Sequence, residues 1–153
     1  MTLFQRHKTG NIGVDHGTWG ENCATEYLRL SGWEIVERNA RPCPWDRRLE
    51  VDLIAYDRKV DAIVFVEVKQ HARHRDGESR LRSIDRRKLR LLRLACNSWR
   101  LRNRWTGNYR FDVIEVFGEP GGRRPEIDHI RHVNLFQPFD RMVDWSSEDG
   151  GCV

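Results

Sequence analysis

Leu49-Glu50-Val51-Asp52-Leu53-Ile54-Ala55, with Val64-Phe65-Val66-Glu67-Val68-Lys69 fifteen residues further on, decides the fold of this chain. Each segment reads as a strand whose apolar alternation is interrupted at one end by ionisable groups. Side chains two apart on a strand share a face. Glu50 and Asp52 therefore point one way together, as do Glu67 and Lys69. Charges seldom sit within strands this apolar unless they are paired or bind a metal. Asp57–Val60 joins the two strands as a hairpin. Val51, Leu53 and Ala55 are expected on one face of the first strand. Val60, Ala62, Val64, Val66 and Val68 share a face of the second. Facing residues of an antiparallel pair lie on the same side of the sheet, so matching the apolar faces pairs Leu53 with Val66. That register sets Asp52 opposite Glu67 and Glu50 opposite Lys69, and a slip of one residue would turn charges into the core. The hairpin alone thus gathers Asp52, Glu67 and Lys69 at one end. Carboxylates clustered around one lysine are the equipment of magnesium-dependent phosphodiester hydrolysis.

Flanking segments fill in an α/β order of helix, three strands, helix, strand, strand. Gly17–Leu30 has helical apolar spacing (Cys23, Ala24, Tyr27, Leu28) and is stopped by Gly32. Trp33–Arg38 is a short strand. Arg41-Pro42-Cys43-Pro44-Trp45-Asp46 is a loop, because two prolines remove ladder donors. His71–Arg82 is basic and irregular. Ser83 is the expected N-cap of a second helix, with Asp85 in its first turn, running to about Leu101. Its apolar stripe holds Ile84, Leu91, Leu92, Ala95 and Trp99, with Lys88 as the odd member. Asn108–Phe117 is a strand, and Ile127–Val133 a weaker edge strand. Val64–Val68 is apolar on both faces, which argues for a central strand covered by helices on each side.

The chain has 153 residues, which suits one domain. That domain is expected over residues 16–136, between polar tails at 1–15 and 137–153. The net charge is only +4, but residues 71–110 hold 13 of the 27 Lys/Arg and 3 of the 23 Asp/Glu. This tract has a local net of +10 and leaves −6 elsewhere. A basic tract beside an acidic cluster suits a polyanion held against a bound metal. Cys23, Cys43, Cys96 and Cys152 show no zinc-like CxxC spacing and read as free thiols. His71/His74 and His129/His132 read as ordinary histidines. No apolar stretch is long enough to span a membrane, and residues 1–13 lack an apolar signal core, so a cytoplasmic location is expected.

The ordered set Gly17-x-x-Gly20-Glu21-x-x-Ala24-x-x-Tyr27-Leu28, Gly32, Ile35, Arg38-Asn39-x-Arg41 resembles the start of the YraN-like bacterial family, which is largely uncharacterised and related to the archaeal Holliday junction resolvases. The resemblance continues through Glu50-Val51-Asp52-Leu53-Ile54-Ala55, Phe65-Val66-Glu67-Val68-Lys69, Lys88 and Arg110-Phe111-Asp112-Val113. It implies a restriction-endonuclease-like, three-layer fold with a central mixed sheet flanked by helices, as in the PD-(D/E)XK nucleases. By position, Asp52 and Glu67 would be ligands of magnesium or manganese, and Glu21 the helix carboxylate. Lys69 would orient or deprotonate the attacking water. Leu49 stands where the family usually has glycine, Val51 where the superfamily has proline, and Gln70 where relatives carry a small hydroxyl residue.

Around this core, Glu50 and Gln70 are candidates for supporting the site. Lys88, Arg73, Arg75, Arg86 and Arg87 are candidates for contacting a nucleic-acid backbone, with Arg80 and Arg82 beside them. Arg110 and Asp112 are expected to pair structurally. The expected activity is a metal-dependent endonuclease on DNA, selective for branched or flap structure, with a homodimer as one way to present two sites to two strands. The competing expectation is a non-catalytic nucleic-acid-binding or adaptor protein on the same fold, and RNA is not excluded as the substrate.

Overall fold

The computed structural model describes residues 16–72 and 85–136. Both tails, Arg73, Arg75, Arg80, Arg82 and Ser83 lie outside the described residues. Seven elements run α1 (His16–Leu30), β1 (Glu34–Ala40), β2 (Val51–Asp57), β3 (Ala62–His71), α2 (Arg86–Arg102), β4 (Asn108–Phe117) and β5 (Glu126–Ile130). The strands form one open mixed sheet in the order β1-β2-β3-β4-β5. β3 and β4 are parallel and the other neighbours antiparallel. The doubly apolar β3 is the middle strand, as its pattern requires.

Helix α1 ends as its glycine dictates. Gly32 has φ 85, and its N–H bonds the Arg29 carbonyl while the Trp33 N–H reaches back to the Leu28 carbonyl. This paired closure needs a residue in the left-handed region. Trp33 and Leu28 are both buried in the core on the α1 side, with Ala24, Leu53, Ala55, Val64, Val66, Ile114 and Val116. On the α2 side, Leu92, Ala95, Cys96 and Trp99 pack on Ile54, Ile63, Phe65, Phe111 and Val113. Each face of the sheet therefore has one helix and its own core.

The register Leu53 with Val66 is observed, followed by Ile54 with Phe65 and onward to Asp57 with Ala62. Three local expectations change. Val51 packs on the α2 side with Leu49 and Ile54, not with Leu53 and Ala55. The β2–β3 pairing stops at Leu53, so the strict alternation is not carried through Asp52. For the same reason Glu50 does not reach Lys69; its Oε2 pairs with Arg41 at 2.9 Å. Helix α2 starts later than Ser83 suggests. Asp85 is the N-cap, in extended conformation, and its carboxylate accepts from the Lys88 N–H at 2.7 Å.

The loop between β1 and β2 explains the departure at Leu49. Pro42 and Cys43 are buried, and Leu49 is buried in the α2-side core. A side chain at this position contributes packing, and the strand enters the sheet anchored on both sides of Asp52. Trp45, by contrast, is 84% exposed at the tip of that loop.

Candidate active site

The two central strands bring Asp52 and Glu67 together where the hairpin opens. Past Leu53 and Val66 the backbone pairing lapses, and the Val68 N–H bonds the Asp52 Oδ2 at 2.8 Å in its place. The side chain thus completes a ladder position and is itself fixed by it. Glu67 is almost fully buried. Its Oε1 lies 3.1 Å from Lys69 Nζ and 3.4 Å from Lys88 Nζ, while its Oε2 has no hydrogen-bond partner. Lys88, the odd member of the α2 stripe, sits in the first turn of that helix and brings the helix start to the carboxylate. Arg86 and Arg87 are exposed beside it.

Burial raises the Asp52 pKa, and the neighbouring Glu67 charge raises it further, to about 7. The Val68 N–H and Lys88 pull the other way, and Glu21 adds a smaller upward push. Glu21 therefore acts on Asp52 from α1, across the end of the sheet. Gly20 makes that approach possible. A Cβ on Gly20 would lie 2.9 Å from Gln70 Cβ and 3.8 Å from Val68 Cγ1. Only a residue without a side chain lets α1 lie this low on β3, while Glu21, the next residue, is not gathered with Asp52 and Glu67 into one cluster.

Gln70 has a different position from Glu67 and Lys69. It lies against Gly20 of α1 and donates from Nε2 to the Gly118 carbonyl at 2.6 Å. It ties the ends of β3 and β4 to the helix and supports the site from the α1 side. Glu50, held by Arg41, also stands back from the carboxylate pair.

The donor chemistry fits a divalent cation. A half-buried and a buried carboxylate lie near each other, Asp52 disfavoured as an anion and Glu67 with an unpartnered oxygen. A cation relieves both conditions. Among the described residues no three His, Cys, Asp or Glu side chains are gathered into a ready metal cage. Magnesium does not require one, since it is ordinarily held by one or two carboxylates, with water and phosphate completing its shell.

Two residues outside the expected site stand near this group. Glu115 of β4 is 1% exposed and is the cross-strand partner of Lys69. His71 Nε2 lies 3.3 Å from Glu115 Oε1. The sequence does carry a signal for Glu115: it continues the Phe111, Val113 face of β4 as a charge, as Glu67 continues the Ile63, Phe65 face of β3.

A second buried acid behaves in the opposite way. Asp112 is fully buried, yet it accepts from His129 Nε2 at 2.9 Å, the His132 N–H at 3.0 Å and Arg110 Nε at 3.1 Å. Burial pushes its pKa up, but His129, the His132 N–H and Arg110 outweigh that and hold it below the usual carboxylate range. Arg110 also reaches Asp57 Oδ2 at 3.3 Å. The expected Arg110–Asp112 pairing is present and belongs to a structural knot.

No described helix is long and apolar enough to cross a membrane. The model of an uncharacterised protein family, UPF0102, matches residues 20–116, the span from Gly20 to Val116 of β4. A UPF0102 protein of Mycobacterium tuberculosis is 38% identical over 125 residues, covering 78% of this chain and 92% of the relative. Those of Methylococcus capsulatus and Herpetosiphon aurantiacus are 35% identical over 116 residues and 30% over 121. They cover 76% and 78% of this chain, and 87% and 93% of the relatives. With most of helix α1, the whole Asp52–Lys69 hairpin and all but the last residue of β4 inside the matched span, the chain belongs to the UPF0102, or YraN-like, family.

Proposed function

We propose that this protein is a magnesium- or manganese-dependent endonuclease with a restriction-endonuclease-like fold, acting on DNA and selective for branched or flap structure. The observation that carries the reading is the partly buried Asp52–Glu67 pair, set at the open end of a hairpin with Lys69 beside it. Carboxylates crowded together in a partly buried setting weaken a fold, and such destabilised groups cluster at functional sites.

Each residue then has a defined task. Asp52 and Glu67 would hold the cation, and Glu21, the helix carboxylate of the family resemblance, would add negative charge from α1. The cation, when bound, supplies Lewis acidity toward a phosphate and lowers the pKa of its water. The Val68 N–H fixes the Asp52 carboxylate, so the pair meets the ligand already oriented. Lys69, beside Glu67, would orient an attacking water and offset charge on the attacked phosphate. Lys88, Arg86 and Arg87 on the first turn of α2 would draw the nucleic-acid backbone toward the carboxylates. Selectivity for structure over sequence is the reading for so short a chain, in which no helix-turn-helix or zinc finger is present among the described residues.

A non-catalytic nucleic-acid-binding role has its own observation. Lys69 and Lys88 both approach the Glu67 Oε1, so two ammonium groups already compensate part of the charge that a cation would meet. Incubating the protein with labelled linear, flap and four-way-junction DNA in magnesium or manganese, beside Lys69→Ala and Asp52→Asn, separates the two. Cleavage by the wild type that both variants lose supports the nuclease, and the preferred shape names the substrate. Tight binding by all three proteins with no cleavage of any substrate supports the binding module.

A further inference from the structure

Glu67 Oε2, His71 Nε2 and Glu115 Oε2 are all buried without a hydrogen-bond partner. Glu115 faces Lys69, and the next pairs of the same ladder bring His71 opposite Phe117. In-register neighbours share a face of the sheet, so Glu67, Lys69, His71 and Glu115 form one polar patch at the carboxyl ends of the parallel strands. Buried polar atoms are nearly always paired, and those that are not commonly mark an ion or a functional group.

The His71–Glu115 geometry is specific. Nε2 and Oε1 stand 3.3 Å apart, yet the imidazole nitrogen makes no hydrogen bond. Two ligands at right angles on one divalent ion, with bonds of about 2.1 Å, lie about 3 Å apart. The histidine ring is held flat on Phe117, with centroids 5.0 Å apart and planes at 20°. Its side chain is 35% exposed while Nε2 itself is buried against the Glu115 carboxylate.

We propose that His71 and Glu115 form a second divalent-cation site, distinct from the Asp52–Glu67 pair, with water or a phosphate oxygen filling the remaining positions. An imidazole with a carboxylate suits manganese or zinc better than magnesium. Lys69 stands between this site and Glu67 on the shared face. The site rests on its own geometry, and its test reads ion binding and not hydrolysis.

Calorimetric titration of the full chain with manganese chloride decides it. The wild type is expected to bind two ions, with His71→Gln and Glu115→Gln each losing one at least tenfold in affinity and Asp52→Asn losing the other. Circular dichroism confirms that each variant is folded, and His71→Gln, at a partly exposed position, keeps the test available where Glu115→Gln fails to fold. One ion, lost in Asp52→Asn and unchanged in His71→Gln, overturns the second site and leaves the nuclease reading standing. One ion, lost in His71→Gln and unchanged in Asp52→Asn, supports the second site and overturns that reading. No binding at millimolar manganese overturns both.

Discussion

Two carboxylates in the same sheet, Asp52 and Asp112, have opposite environments. Asp112 is fully buried but surrounded by His129, Arg110 and a backbone N–H, and its anion is favoured. Asp52 is half-buried, yet a second carboxylate, Glu67, stands near it, and its anion is disfavoured. Burial alone therefore says little about role. The partners separate an acid whose anion the fold favours from one whose anion it disfavours.

That contrast is easiest to test where the effect is largest. Asp112→Ala leaves Arg110 Nε and His129 Nε2 without their acceptor, and urea denaturation should show a loss of about 3–5 kcal/mol. A loss under about 1 kcal/mol would mean that the knot is not structural. Asp52→Asn should do the reverse. It keeps an acceptor for the Val68 N–H and removes the disfavoured charge, so at pH 8 the variant should be more stable than the wild type by about 2 kcal/mol.

The same pair gives opposite pH dependences. The folded pKa of Asp52 lies above its unfolded value, so the folded protein keeps a proton that the unfolded chain has released. The Asp52 contribution is fully present below about pH 4 and is lost as pH rises through about 7. The folded pKa of Asp112 lies below its unfolded value. Its contribution is present above the ordinary carboxylate range and is lost as pH falls through the folded value. Melting curves across pH 4 to 8 should therefore decline with pH in the wild type, and that decline should flatten in Asp52→Asn. A slope unchanged by the substitution would assign it to another group.

The smallest expected effect concerns support of the site. Gly20→Ala gains helix propensity but drives a Cβ to 2.9 Å from Gln70 Cβ. The expected net loss is about 1 kcal/mol in thermal unfolding. A larger loss of cation affinity than of stability would show that the close approach of α1 serves the site more than the fold.

Much of this is legible in the chain because strand alternation is a strict signal. Placing Val66 across from Leu53 follows from matching apolar faces, and that match by itself puts Asp52 and Glu67 at one end of the hairpin. Lys88 stands out as a charge on an apolar stripe. Asp112 and Arg110 are recognisable as a pair two apart on one strand. What stays hidden depends on where regular pairing stops or on contacts between distant elements. Glu50 follows a loop to Arg41, because the ladder ends before Lys69 is reached. The Ser83 and Asp85 caps are chemically equivalent from sequence, and only the backbone chooses Asp85. His71 gains meaning from Glu115, which lies on a strand brought alongside by the crossover through α2.

Asp52 is, above all, a carboxylate held out of its ionised state, and the proposed site has a cation relieve it. Carbon-13 NMR of the Asp52 carboxyl, assigned with Asp52→Asn and titrated with and without magnesium, measures this directly. The midpoint should lie near neutral pH without metal and fall markedly when magnesium is added. A midpoint in the ordinary carboxylate range, unmoved by magnesium, would contradict it.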